Sequence, residues 1–228
     1  MRYVNERQMD VLTGCSLFRG VEREKARAML ECLSARARRY GRGEFIQRAG
    51  ERPASLGVVA EGKATVMRED YWGNCSVMTL VGPGELFSEV FACLPDVASA
   101  VNVVADEPTT VVFLDIAKVI ARCASACPFH ERVTNNLVAA LARKNLMVTE
   151  RLDHVTRHTT REKLLAYLSA VARRSGSNEF VIPMNRQQLA DYLSVDRSAM
   201  SAELGRMRED GLVEFSRNRF RLLSGEHA

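Results

Sequence analysis

At 228 residues and 25.4 kDa the chain has room for one or two domains. Apolar residues make up 46% and charged ones 26%, which excludes a disordered chain, a collagen-like fibre and a disulfide miniprotein. The net charge of +4 is unevenly spread: residues 156–228 hold 12 Lys and Arg against 9 Asp and Glu, residues 1–155 hold 20 against 19, and the excess points to a polyanionic partner for the last third.

Residues 1–7 lack the apolar core of a signal peptide. No uncharged apolar run approaches the roughly 18 residues that span a bilayer. A cytoplasmic protein with no membrane partner is expected. Ala26, Met29, Leu30 and Leu33 recur at helical spacing, which predicts a short leading helix within 22–38.

From about 40 to 116 the pattern changes to short strands: Leu56–Ala60, Ala64–Met67, Ser76–Leu80, Val101–Ala105 and Thr110–Leu114. Gly43, Gly50, Gly62, Gly73, Gly82 and Gly84 separate them at close to the ~8–12-residue intervals of a sandwich or barrel. Tyr71-Trp72-Gly73-Asn74 reads as a hairpin tip, because Gly and Asn tolerate positive φ. It is expected to be exposed or a packing anchor rather than a binding platform.

From Pro128, a residue suited to the first helical position, the period becomes helical. Val133, Leu137, Leu141, Val148, Leu152 and Val155 follow at steps of 4, 4, 7, 4 and 3, a heptad-like stripe. Two readings fit the stripe: core against the barrel, or the seam of a homodimer. Its length and sustained register favour the seam.

The segment 156–224 reads helix, strand, helix, helix, hairpin. Leu164, Leu165, Leu168 and Val171 line the first helix, and Asn178–Ile182 makes a small strand ended by Pro183. Asn185-Arg-Gln-Gln188 has the shape of a capping box, opening a helix with Leu189, Ala190 and Leu193 inside. Ser194-Val195 turns, and Asp196 caps a second helix that faces Met200, Leu204 and Met207 inward and ends at Gly211. Its other face carries Arg197, Ser198, Ser201, Ala202, Gly205 and Arg208. This is the pattern of a helix-turn-helix, whose second helix enters a major groove. A hairpin through Arg217-Asn218 follows as a wing, with Arg217, Arg219 and Arg221 placed for phosphate contacts.

Over residues 12–224 the chain resembles the bacterial CRP/FNR family of transcription regulators. The motifs that carry this are Ala49-Gly50-Glu51, Gly82-Pro83-Gly84-Glu85-Leu86-Phe87 and, in the reading helix, Asp196-Arg-Ser-Ala-Met-Ser201. The resemblance implies an α+β protein with an N-terminal, jelly-roll-like β-roll over 1–127, a dimerisation helix over 128–155 and a winged helix-turn-helix over 156–228. It implies base reading by Arg197, Ser198, Ser201 and Ala202, and backbone contacts from Arg186 and Gln187. Its partners would be a double-stranded operator, a second copy of the chain, RNA polymerase and a small effector. Ala202 departs from the Arg often found there, so an operator unlike the common family sequence is expected.

In nucleotide-binding members the effector cassette runs from a Gly-Glu pair to an Arg-Ser/Thr pair, and the Arg neutralises the cyclic phosphate. Here Phe87-Ser88-Glu89 to Ala98-Ser99-Ala100 fills the span, with Glu89 at the ribose position and Ser99 where the Arg belongs. A buried phosphate without a cation is expensive, so cyclic AMP is disfavoured. Ser88, Glu89, Ser99 and Asn145 are the candidate effector contacts.

Cys15, Cys32, Cys75, Cys93, Cys123 and Cys127 are irregularly spaced, which argues for free thiols. They lack the compact N-terminal run of the family's iron–sulfur members. Cys93, Cys123 and Cys127 are the candidates for a redox or metal sensor, Cys127 because a helix N-terminus lowers a thiol pKa. The alternative is a set of small buried hydrophobes. A cupin-like enzyme would need histidines in the barrel, but His130, His154, His158 and His227 all lie outside it. No Walker loop, dinucleotide fingerprint or Ser-His-Asp order appears, so no catalysis and no metal site are expected. An interaction adaptor with a degenerate winged helix is a third class; it would show no salt-dependent DNA affinity.

Overall fold

The structure is a computed structural model that describes residues 4–120 and 128–223. Cys123, Cys127 and His227 lie outside the described residues. The chain divides into two compact units, up to Arg143 and from Lys144, each with its own core.

The first unit is a roll of two four-stranded antiparallel sheets. One has the order β1 (Arg36–Tyr40), β8 (Thr109–Asp115), β3 (Ser55–Glu61), β6 (Leu86–Phe87). The other has the order β2 (Phe45–Gln47), β7 (Asn102–Ala105), β4 (Ala64–Glu69), β5 (Cys75–Val81). Central position explains the near-continuous apolar run of β3. Leu56, Val58 and Ala60 pack outward under the helices, and Val59 packs into the roll with Tyr40, Ala64, Phe87, Val103 and Val111. At Gly57 a Cβ would collide with the Phe87 ring, so the strand needs a residue without a side chain there. The edge strand β5 is exposed from Cys75 to Leu80.

Two helices cover the outer face, and only one was expected. Helix α2 (Arg23–Cys32) lies within the predicted 22–38 but stops at Cys32; Arg36–Tyr40 is strand, paired residue for residue with Thr109–Phe113. Helix α1 (Glu6–Gly14) opens with a capping box, Asn5 bonding the Gln8 amide and Gln8 bonding back, and buries Met9 and Leu12. A 3-10 turn, Ser16–Phe18, adds Leu17 and Phe18 to the same core. The short helices α3 (Glu89–Ala92) and α4 (Ile116–Ile120) follow β6 and β8.

Helix α5 (Pro128–Val155) is a single helix of 28 residues, about 40 Å long. Its stripe divides, which corrects the reading of one sustained seam. Val133 and Leu137, with Ala140, are buried in the core of the first unit, and Leu141 is half-buried against it. Polar ties fix the same turns. His130 Nε2 pairs with the Lys118 carbonyl at 2.9 Å, Thr134 donates to the Val119 carbonyl at 2.7 Å, and Asn136 donates to the carbonyls of Leu17 and Arg19. Farther along, Val148 and Leu152 are 60% and 54% exposed, so nothing among the described residues covers them.

In the second unit α6 (Thr160–Ser175) starts at a Thr159–Glu162 capping box and ends at Gly176, whose φ is +65°. Strand β9 (Glu179–Val181), helices α7 (Arg186–Leu193) and α8 (Arg197–Glu209), and the hairpin β10 (Val213–Ser216) and β11 (Arg219–Leu222) complete it, in sheet order β10-β11-β9. Leu164, Leu168, Leu189, Leu193, Met200, Leu204, Met207 and Phe220 fill one core. The last turn of α5 joins by a polar-aromatic cluster. His154, 2% exposed, has Nδ1 at 3.2 Å from the Tyr192 hydroxyl and lies edge-on to the Tyr167 ring.

Candidate nucleic-acid interface

The turn between α7 and α8 is fixed from both sides. The Asn185–Gln188 capping box is present, and Ser194 takes the left-handed conformation at the end of α7. Asp196 bonds the Ala199 amide at 2.8 Å and the Ser198 hydroxyl, which with adjacent amides holds its carboxyl below the usual carboxylate range. At the other end Gly211, φ +70°, closes a Schellman motif through Gly211 N–H to Arg208 O and Leu212 N–H to Met207 O.

These stops orient α8. Met200, Leu204 and Met207 are buried as expected, and Arg197, Ser198, Ser201, Ala202 and Arg208 are exposed on the opposite side. Glu203 was not anticipated as an inward residue. Its carboxylate takes Arg161 Nε and Arg206 Nη2, both at 2.6 Å, while Arg161 Nη2 holds Asp210 at 2.6 Å. The Arg161 guanidinium depresses the Glu203 pKa and pins α8 to α6, so the angle of the reading helix does not rest on packing alone.

The wing consumes more of its cations than its sequence suggests. Arg219 approaches Glu179 at 3.7 Å and Arg221 approaches Glu214 at 3.6 Å, across neighbouring strands. Among the described residues Arg217, at the tip with φ +52°, has no ion pair. Gln187 is exposed and bonds Asp191 at 2.8 Å. Arg186 is half-buried, its guanidinium 4.9 Å from the centres of both Phe215 and Phe220, where it braces the wing against the start of α7. A cleft of about 500 Å³ opens beside it, lined by Asn185, Gln188, Arg217 and Asn218 among others.

In the first unit two of the effector candidates meet through a residue that sequence reasoning missed. Gln47, 5% exposed, accepts from Ser88 Oγ at 2.5 Å and donates to Ser99 Oγ at 2.7 Å, and Ser99 donates on to the Val101 carbonyl. The backbone of Ser99 bonds Gly50 and Glu51, and Asn102 accepts from the Ala49 amide, so the end of the cassette is sewn to the Ala49-Gly50-Glu51 motif. Ser88 sits at φ +61° and ψ 5°, a strained value that launches Glu89 into the interior, where it is 3% exposed. Asn145 belongs to the second unit and is exposed on α5.

Burial and the nearby Glu89 push the Cys93 thiol up, away from the thiolate that reactivity requires. Cys15 is buried and also raised, whereas Cys32 and Cys75 are exposed. Tyr71 and Trp72 are 96% and 82% exposed on a turn capped by Asp70; they anchor no core.

Two family models match: the cyclic nucleotide-binding domain over residues 37–125 and the Crp-like helix-turn-helix domain over 162–226. The chain belongs to the CRP/FNR family of transcription regulators. It is 28% identical over 205 residues, 89% of each chain, to the cyclic AMP receptor protein of Thermus thermophilus. It is 26% identical over 209 residues, covering 89% of this chain and 90% of the relative, to the "Probable transcriptional regulator flp" of Lacticaseibacillus casei. Among solved structures it shares its fold with the c-di-GMP responsive global regulator CLP of Xanthomonas campestris, with a TM-score of 0.53 at 16% identity, over 86% of this chain and 98% of that one.

The CRP/FNR family consists of DNA-binding regulators and not enzymes. Among the described residues no helix is long and apolar enough to cross a membrane. Within the family frame, Gln47 and Glu203 are the residues that sequence reasoning passed over. For Gln47 the available signal is a polar side chain two residues before the Ala49-Gly50-Glu51 motif; for Glu203 it is its place beside Leu204 on the inner arc of α8.

Proposed function

We propose that the protein is a homodimeric, sequence-specific regulator that reads DNA with Arg197, Ser198, Ser201 and Ala202. Gln187 and Arg217 hold the phosphate backbone, and Arg186 supports that contact by bracing the wing. The observation that carries this reading is the exposed polar face of α8, held by caps at both ends and by the Arg161–Glu203 pair. Two copies would place their reading helices in successive major grooves of a near-palindromic site, half-sites about one turn apart. The Arg197 guanidinium has the fork that bonds O6 and N7 of one guanine. RNA polymerase is the partner that such a regulator addresses once bound.

The effector reading is a ligand other than cyclic AMP, held by Ser88, Glu89 and Ser99 with Gln47 between them. What supports it is charge: Ser88, Ser99, Gln47 and Glu89 offer hydroxyls, an amide and a carboxylate, and none of these four side chains is a cation that could neutralise a phosphate. Ligand binding there shifts the population of states that differ in DNA affinity. Cys93 is a poor thiol sensor, and a redox reading would fall to Cys123 and Cys127. Arg197→Ala tests the DNA reading by footprinting and competition against every base at each operator position. Discrimination at one base pair should fall by ~1–3 kcal/mol with the melting temperature unchanged. Binding that treats every sequence as the parent does would remove the reading helix from this role.

A further inference from the structure

The last turns of α5 belong to the second unit and close on one residue of the helix-turn-helix. Tyr192 stands in the last turn of α7, just before the turn at Ser194 that leads into α8. Arg151 Nε donates to the Tyr192 carbonyl at 3.3 Å, and its guanidinium lies 5.3 Å from the centre of the same ring. One turn on, His154 Nδ1 is 3.2 Å from the Tyr192 hydroxyl. The His154 and Tyr167 rings stand 5.9 and 5.4 Å from the Tyr192 ring. The helix of α5 ends at Val155 and α6 begins at Thr160, so these contacts, and not a continuous helix, join the end of α5 to the reading head.

We propose that this cluster is an acid-sensitive latch: neutral His154 holds the reading head to the end of α5 through Tyr192, and a proton on His154 loosens that hold and weakens operator binding. The inference rests on the DNA reading above. A neutral imidazole offers one donor and one acceptor, whereas the protonated ring carries two donors and a charge. His154 is 2% exposed, so that charge must be held without water. The groups that face it are poorly arranged to do so. From α5, Asp153 and Glu150 attract it, but Asp153 is paired with Arg157 at 2.7 Å and Glu150 with Arg174 of α6 at 3.2 Å. Arg151 adds a further cation at Tyr192. Tyr167 of α6 and Tyr192 of α7 present rings and a hydroxyl, and neither brings a carboxylate.

Proton and grip therefore exclude one another. The arrangement that takes up the proton more readily is one in which His154 reaches water, and it reaches water by parting from Tyr192. Helices α6, α7 and α8 share one core, and Lys163 of α6 donates to the carbonyls of Leu193 and Ser194. What the proton frees is thus the end of α5 from the head as a whole, with the head itself intact. Operator affinity then falls with the fraction of heads that are held. The sign is diagnostic. Added protons otherwise raise the positive charge of a protein facing a polyanion and favour binding, whereas the latch makes acid unfavourable.

The test uses the full-length chain, a duplex of the footprinted operator and a scrambled duplex of equal length, at constant ionic strength and well below the melting temperature. From about pH 7.5 to about pH 5.5 the preference for the operator should fall at least about threefold, with the circular dichroism of the folded chain unchanged. His154→Gln keeps a hydrogen-bonding group near the Tyr192 hydroxyl, and His154→Phe keeps a ring. Neither takes up a proton, and each should flatten the profile. Imidazole resonances of the parent give a second readout that needs no folded variant. His154 should titrate at lower pH with the operator bound than without it, because coupling between two binding events is reciprocal. A parent that prefers no operator at neutral pH overturns the DNA reading itself. A selective parent overturns this inference alone if its preference holds or rises on acidification, if the fall persists in either folded variant, or if the His154 titration ignores the operator.

Discussion

The effector cassette and the reading helix are both built from small polar residues, but they spend them in opposite ways. In the roll, the Gln47 amide links the Ser88 and Ser99 hydroxyls; Gln47 and Ser99 are hidden from water and Ser88 is half-buried. On α8, Ser198 bonds the capping Asp196 and Ser201 bonds the Arg197 carbonyl, and the whole face from Arg197 to Ala202 around them is open apart from Met200. The first cluster is a closed network, whose members cannot be removed singly without stranding a partner. The second is a display, whose members can be exchanged without disturbing the fold.

Substitutions should separate the two regions. Phe220 lies at the base of the wing, 0% exposed and stacked on Phe180, beneath the Arg186 guanidinium. Phe220→Ala should cost ~3–5 kcal/mol of stability in the second unit, read by denaturant titration of the full chain, and abolish DNA binding with it. In the cassette, Gln47→Leu takes the shared partner from the buried Ser99 hydroxyl and the half-buried Ser88 hydroxyl and should cost about 1–3 kcal/mol in the first unit. If that variant melts as the parent does, water reaches the cluster and the closed-network picture is wrong.

A smaller effect comes from pH. Burial holds the His154 pKa below the ordinary 6.5, against the opposing pull of Asp153 and Glu150, while Arg174 and Arg157 add to the depression. Tyr167, whose own pKa is pushed up to about 12, and Tyr192 stay neutral across this range. Because the folded value lies below the unfolded one, the unfolded chain takes up the extra proton in between. Stability is therefore full above 6.5 and is lost as the pH falls toward the folded value. The melting temperature of the second unit should drop between pH 7.5 and 5.5. His154→Phe should flatten that slope; a slope unchanged by the substitution would place its origin elsewhere.

Much of this architecture is legible in the sequence wherever local chemistry and tertiary packing agree. Asn185-x-x-Gln188 leads into a helix with a clear apolar face, and both the cap and the helix are where the spacing places them. Asn5-x-x-Gln8 is the same cap, yet α1 went unread, because its nine residues bury little besides Met9 and Leu12 and give no sustained period. The stripe on α5 illustrates the opposite failure. Its apolar positions are real, but Val133 and Leu137 answer to the roll while Val148 and Leu152 do not, and one-dimensional spacing holds no record of which neighbour covers which turn. Gln47 has only its place two residues before the Ala49-Gly50-Glu51 motif to mark it, for a related reason: its role is set by Ser99, 52 residues away.

The hairpin tip beside β5 has a practical use. Trp72 is the sole tryptophan of the chain, and it stands 82% in water at the end of an edge strand whose side chains are exposed almost to its end. The molecule thus carries its own fluorescent lamp at a single, known address. Any event that shades that hairpin, whether a metabolite entering the roll or a neighbouring surface closing over it, should shift and brighten the emission without any label having been attached.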